Sequence, residues 1–212
     1  METAGPSRRQ FISWTLASFI APTVSAAAAT GLPDWAAASL ERQCRGLFGG
    51  QLPPGARSVM SATKDGVIAA IFEVEDVDTR GVVRLLCIAS ERSPGCFSTQ
   101  VSADALRYSD SFNPTDAALE IEDDGGVNVS EQHVRGHTRH IWKNIDGKWC
   151  LSKRTFAGVE AHKFVTEEYD LEKEEFVMAR GPVDSDEFEF KECRKTTVLV
   201  ELGTYQGGIF VA

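Results

Sequence analysis

The stretch that decides the fold runs from Thr138 to Leu151: Thr138-Arg-His-Ile-Trp-Lys-Asn-Ile145, then Asp146-Gly147, then Lys148-Trp-Cys-Leu151. Two β-favouring runs flank a two-residue turn. A type I′ turn needs positive φ at both central residues, and Asp-Gly supplies that with little strain. A two-residue loop sets Ile145 opposite Lys148, Asn144 opposite Trp149 and Trp142 opposite Leu151. Side chains alternate along a strand, so Trp142, Trp149 and Leu151 share one face. That apolar face is the expected core.

Working outward, the same texture repeats every ~8–12 residues, the pattern of an all-β chain. Further runs are Gly66–Glu75, Val82–Ser90, Ala117–Glu122, Lys148–Phe156, Lys163–Tyr169, Glu175–Ala179, Glu187–Cys193 and Thr197–Leu202. Turn residues separate them: Asp65-Gly66, Arg80-Gly81, Ser93-Pro94-Gly95, Asn113-Pro114, Asp124-Gly125-Gly126 and Gly181-Pro182. A second hairpin is expected through Asp170–Glu174. No second long helical pattern occurs, which disfavours βαβ units. The expected fold is mainly β: an antiparallel meander arranged as a sandwich, a barrel or a small propeller-like body. One short helix precedes it, with Ala36, Leu40, Cys44 and Leu47 at helical spacing and Gly49-Gly50 as its stop.

The N-terminus reads as a separate unit. Ser7-Arg8-Arg9-Gln10-Phe11-Ile12 resembles the twin-arginine export motif, matching at Ser7, Arg8, Arg9 and Phe11. A modest apolar stretch follows to Ala21, and Val24-Ser25-Ala26 offers small residues for a signal peptidase. The expected organisation is a signal peptide at 1–26, a flexible leader plus helix at 27–55 and one all-β domain at 56–212. Cleavage after Ala26 or a nearby alanine moves the net charge from −9 to −10. The resemblance implies a soluble protein of the periplasm or the exterior, exported folded, with no membrane insertion after cleavage.

An oxidising destination gives the five cysteines meaning. Cys87 and Cys96 flank Ser93-Pro94-Gly95 and suit a cross-hairpin disulfide; Cys150 and Cys193 suit a longer bridge, leaving Cys44. Five cysteines with one unpaired allow 15 pairings, so connectivity stays open.

His133, His137 and His140 form the ligand-like run and are the metal candidates, with Glu131 nearby. On an extended chain His133 and His137 share one side and His140 points away; Arg135 and Arg139 interleave and oppose a bound cation. From His133 to Arg154, six basic residues (Arg135, Arg139, Lys143, Lys148, Lys153, Arg154) face Asp146 alone among acids. The favoured reading of this strip is internal charge balance. Asp76-x-Asp78-x-Arg80-Gly81 starts like a calcium loop but fails at Arg80 and at Cys87. The acidic balance opposes nucleic acid and favours a cationic protein as partner.

No nucleophile elbow, metalloprotease helix, P-loop or dinucleotide fingerprint is present. The reading therefore leans away from an enzyme, and no cofactor is expected. One longer resemblance remains. Asp116 to Ile121, Gly125-Gly126 to Ser130, His137 to Lys143 and the Asp146–Leu151 hairpin follow an order similar to repeats of exported β-propeller-like proteins, some of them lysozyme-inhibitor-like. Over residues 66–156 it implies a rigid β scaffold that binds an enzyme. Three functions follow as expectations: a non-enzymatic binding domain, of which an inhibitor of a cationic cell-wall hydrolase such as lysozyme is one form; a periplasmic enzyme or metal binder using the histidine run; or a structural envelope or accessory domain.

Overall fold

The computed structural model describes residues 34–76, 81–103, 105–106, 115–160, 162–183, 189–196 and 199–205. The export motif (Ser7, Arg8, Arg9, Phe11), the cleavage site and most of the calcium-like loop lie outside them.

Among the described residues, a helix, α1 (Asp34–Phe48), is followed by eleven strands: β1 (Arg57–Lys64), β2 (Val67–Asp76), β3 (Gly81–Ser93), β4 (Cys96–Ser102), β5 (Thr115–Ile121), β6 (Val127–His133), β7 (Gly136–Ile145), β8 (Lys148–Glu160), β9 (Lys163–Asp170), β10 (Glu175–Pro182) and β11 (Phe190–Lys195). They form two antiparallel meanders, β1-β2-β3-β4 and β11-β10-β9-β8-β7-β6-β5. Both sheets are open, so the sandwich arrangement holds rather than a closed barrel or radial blades.

The hairpin at the centre of the sequence argument forms in the expected register. Ile145 pairs with Lys148, Asn144 with Trp149 and Trp142 with Leu151. Asp146 and Gly147 sit at φ 52° and 83°, as a type I′ turn requires. Asp65 and Gly66 repeat this geometry between β1 and β2. Trp142, Trp149 and Leu151 are all buried in the layer between the sheets.

Two apolar layers hold the molecule. Ala69 and Ile71 of β2 and Leu86 and Ile88 of β3 face the larger sheet and meet Ile121, Val127, Val129, Trp142 and Leu151. The alternate residues, Ile68, Ala70, Phe72, Leu85, Cys87 and Ala89, face outward and are covered by Leu40, Cys44 and Phe48 of α1. Strands buried on both faces read as near-continuous apolar runs, which is why β2 and β3 stand out in the sequence. The larger sheet extends past the smaller one. There the C-terminal segment returns across its inner face. Glu201 bridges Cys150, Leu151 N–H donates to Val200 C=O at 2.8 Å, and Leu202 and Tyr205 join the inter-sheet core. Residues 199–202 of the expected Thr197–Leu202 strand form this crossing, which ends in a 3-10 helix at Leu202–Thr204, and 197–198 lie outside the described residues.

The proposed disulfides are corrected by the topology. Cys87 pairs with Val101, five positions along β4 from Cys96, which sits opposite Ser93. Cys150 and Cys193 lie on β8 and β11, with two strands between them. At ~4.8 Å per strand, neither pair approaches the ~4.4–6.8 Å Cα separation a disulfide needs. All five cysteines are free thiols.

Candidate functional site

At one pole of the sandwich, three of the hairpin turns carry aspartates around a cleft. Asp65-Gly66 joins β1 to β2, Asp123-Asp124-Gly125 lies between β5 and β6, and Asp146-Gly147 joins β7 to β8. Between them a cleft of about 420 Å³ is lined by Val67, Ser90, Glu91, Arg92, Asp124, Gly125, Gly126, Lys143, Asn144, Gly147 and Trp149. The cleft also marks where the sheets are tied together. Asn144 donates to Ser90 Oγ at 3.2 Å, Arg92 to Gly147 C=O at 3.3 Å, and the Trp149 backbone N–H to Gln100 Oε1 at 2.8 Å.

The charges on this pole are mostly acidic. Asp65, Glu91, Glu120, Asp123, Asp124 and Asp146 are exposed. Lys64 reaches Asp123 at 2.5 Å and Lys143 reaches Asp124 at 3.1 Å. The Gly126 backbone N–H, then the Lys143 ammonium, hold the Asp124 carboxyl below its ordinary range. Asp123 is lowered by its bond to Lys64. These two carboxylates therefore stay ionised well below neutrality.

Five of the six basic residues of the strip are paired within the chain. Arg139 pairs with Glu122, Lys143 with Asp124 and Glu172, Lys148 with Glu201, Lys153 with Asp170, and Arg154 with Glu167. Two of these acids, Glu167 and Asp170, lie on β9, and the others lie in turns or the C-terminal segment, so the strip offers little free positive charge to an anion.

A second group lies inside. Register across the larger sheet aligns Leu119, Val129, His140, Arg154, Tyr169 and Phe176 in one inner row. The next row carries Ala117, Glu131, Thr138, Phe156, Glu167 and Met178. Glu131, His140 and Arg154 are 1%, 3% and 6% exposed. Charges buried to this degree persist only when paired or hydrogen-bonded. Arg154 bonds Glu167, and His140 Nε2 lies 3.1 Å from the Tyr205 hydroxyl. Burial pushes the Tyr205 phenol up, and Arg154 beside it pulls the other way. Beyond Tyr205 the inner face opens into a groove of about 320 Å³ lined by Glu160, Lys163, Val165, Glu167, Met178 and Arg180. Glu167 thus connects the buried group to the surface.

The histidine run is divided by the fold. The chain reverses at Val134-Arg135, and His133 pairs with Gly136. Paired residues share a face, so His133 and His140 point inward and His137 outward, which corrects the assignment made for an unbroken strand. His133 stacks on Phe156 at 6.0 Å. Among the described residues no three His, Cys, Asp or Glu side chains converge as a metal-binding group. Sequence reasoning missed the roles of Tyr205 and Glu167. It had a signal for His140: that residue has the parity of Trp142, whose core-facing side was already assigned.

No known protein family, curated protein or solved structure matches the chain. The fold and the two sites define a helix-capped antiparallel β-sandwich with an acidic pole and a buried charged row.

Proposed function

We propose that this is an exported, soluble, non-enzymatic binding protein of the bacterial envelope whose acidic pole docks a cationic protein. A cell-wall hydrolase of the lysozyme type has the matching charge. The observation that carries the reading is the set of three aspartate-bearing turns around one cleft, fixed by hydrogen bonds between the two sheets. Rigid presentation lowers the ordering cost of association, and like-signed charge on one pole steers an oppositely charged partner. The twin-arginine-like start supplies the destination.

The test uses protein lacking residues 1–26, immobilised and offered lysozymes of different net charge, with a parallel cell-lysis assay. The expected result is binding and protection at low salt that weaken as salt rises. Absence of both at low salt overturns the reading.

A second reading, a periplasmic enzyme, is favoured by one observation. Glu131, His140, Arg154, Glu167 and Tyr205 converge beside the groove, and titratable groups in such surroundings are the usual material of active sites. Metal in the purified protein, or a zinc-dependent rise in unfolding temperature, would support its metal-binding form. Metal-free protein indifferent to zinc and calcium counts against that form.

A further inference from the structure

The layer between α1 and the smaller sheet holds two cysteines and no other polar side chain among its buried members. Leu40, Cys44 and Phe48 form the buried stripe of α1, each four residues from the next. Cys44 is its midpoint. On the sheet, Ile68-Ala70-Phe72 of β2 and Leu85-Cys87-Ala89 of β3 form the facing stripes, and Ala70 pairs with Cys87 at their midpoints. Large side chains at the corners (Ile68, Phe72, Leu85) surround two small ones at the centre. The backbone of α1 lies nearest β1 and β4, so the helix spans the sheet above these stripes, with Cys44 in the same buried cluster as Ala70 and Cys87 and near enough to Cys87 to act on its thiol electrostatically. Cys44 and Cys87 are each fully buried, at 0% exposure, in this one layer.

We infer that Cys44 and Cys87 are a cross-linkable pair whose oxidation staples α1 to β3. They are thiols in this structure, and closing the bond requires the helix and strand to approach further. The docked state also protects them. Burial raises the Cys44 thiol to about 11 and the Cys87 thiol to about 12, so little thiolate forms there. Reaction therefore proceeds when α1 lifts off the sheet, an opening confined to one element near the end of the described chain. The oxidant is a disulfide, such as an envelope thiol oxidase or oxidised glutathione. The Cys87 thiolate attacks one oxidant sulfur, forming a mixed disulfide and expelling the other sulfur as a thiolate. The Cys44 thiolate then attacks Cys87 Sγ, closing the Cys44–Cys87 bond and releasing the second oxidant thiolate. The oxidant gains two electrons and its two sulfurs take up the two protons lost by the cysteines.

The other cysteines do not compete for this bond. Cys96 and Cys193 are exposed on other strands, and Cys150 lies on β8 of the larger sheet. The chemistry depends on the fold alone; export would supply the oxidising compartment.

The experiment incubates the reduced full chain with oxidised glutathione, with and without urea below the unfolding transition. Remaining thiols are alkylated after full denaturation and the protein is digested without reductant. The expected result is a peptide joining Cys44 to Cys87, formed faster in urea, lost on adding dithiothreitol and absent from Cys44→Ala. Tryptic cleavage after Arg42 and Arg45, which are exposed on α1, should slow several-fold on oxidation. The inference is overturned if both cysteines are alkylated, if they carry only glutathione, or if the linkage joins other cysteines. Mapping of the natural chain decides the matter even where a cysteine variant fails to fold.

Discussion

His140 of β7 and Tyr205 of the returning C-terminal segment meet at 3.1 Å inside the sandwich, 65 positions apart in the chain. Their rings cross edge to face at 5.6 Å, and Tyr205 makes a second edge contact with Trp142 at 5.4 Å. One residue thus closes the end of the core that the four-stranded sheet does not reach, and it supplies a polar partner for a buried imidazole.

Tyr205 therefore separates two contributions. Tyr205→Phe keeps the ring and removes the hydroxyl, with an expected cost of about 1–3 kcal/mol from the partners left behind. Tyr205→Ala removes the ring as well and should cost about 3–5 kcal/mol, the range for deleting a buried aromatic. Urea unfolding of the two variants gives the comparison. Equal costs would show that the ring contributes nothing to the closure.

His137 should make stability depend on pH. Burial on the outer face holds its pKa below the ordinary value of 6.5. The unfolded chain then binds the proton more readily, so this contribution is whole above about pH 6.5 and declines as the pH falls through the depressed folded value. The urea midpoint should drop between about pH 7.5 and about pH 5.5, and His137→Gln should flatten that drop. An unchanged slope in the variant would assign the dependence to other groups.

Gly136 and Gly158 face one another across β7 and β8. A Cβ on Gly158 would lie 2.6 Å from Arg135 C=O and 3.2 Å from Gly136 Cα. Those two obstacles are backbone, which cannot swing aside, and a third, the Phe156 ring at 2.9 Å, is buried. Gly158→Ala should cost about 1–3 kcal/mol, as overpacking does. Gly203→Ala, with nothing within 4 Å of the new atom, should fall within about 0.5 kcal/mol of the natural protein. Thermal or urea unfolding of both alanine variants checks the contrast.

Phe48 anchors α1 by an edge contact to Phe72 at 6.3 Å. Phe48→Ala should cost about 3–5 kcal/mol if the helix unfolds with the whole. If α1 opens alone, tryptic cleavage at Arg42 and Arg45 should accelerate while the β-sheet circular dichroism signal is retained. A variant matching the natural protein in both measurements would show that the helix contributes little to the fold.

Local chemistry made much of this legible. The Asp146-Gly147 turn fixes a register that extends as far as Trp142 and Leu151 before a bulge between Trp142 and Ile141 shifts it. The Asp170–Glu174 turn behaves alike, returning β10 on β9 with Glu175 opposite Asp170. Strands β1 and β4 carry no such local signal, and β6 is marked only by the Gly125-Gly126 turn before it. Their residues, such as Ser61 and Thr63 or Ser98 and Gln100, are mixed and polar, and they are extended because a neighbouring strand accepts their backbone hydrogen bonds. The disulfide pairs failed for a related reason: spacing in the chain says nothing about which strand lies between.

By itself, the sequence determined the mainly β class, the helix and its end, the type I′ hairpins and the face carrying Trp142, Trp149 and Leu151. Each follows from interactions within a few residues. Only the tertiary structure decided that β5 to β11 form one sheet and β1 to β4 another, that His137 is turned away from His133 and His140, that most of the basic strip is paired with acids from β9, from turns and from the C-terminal segment, and that Tyr205 completes a buried charged row. Those outcomes depend on which distant surfaces exclude water together, and no local pattern in the chain encodes that choice.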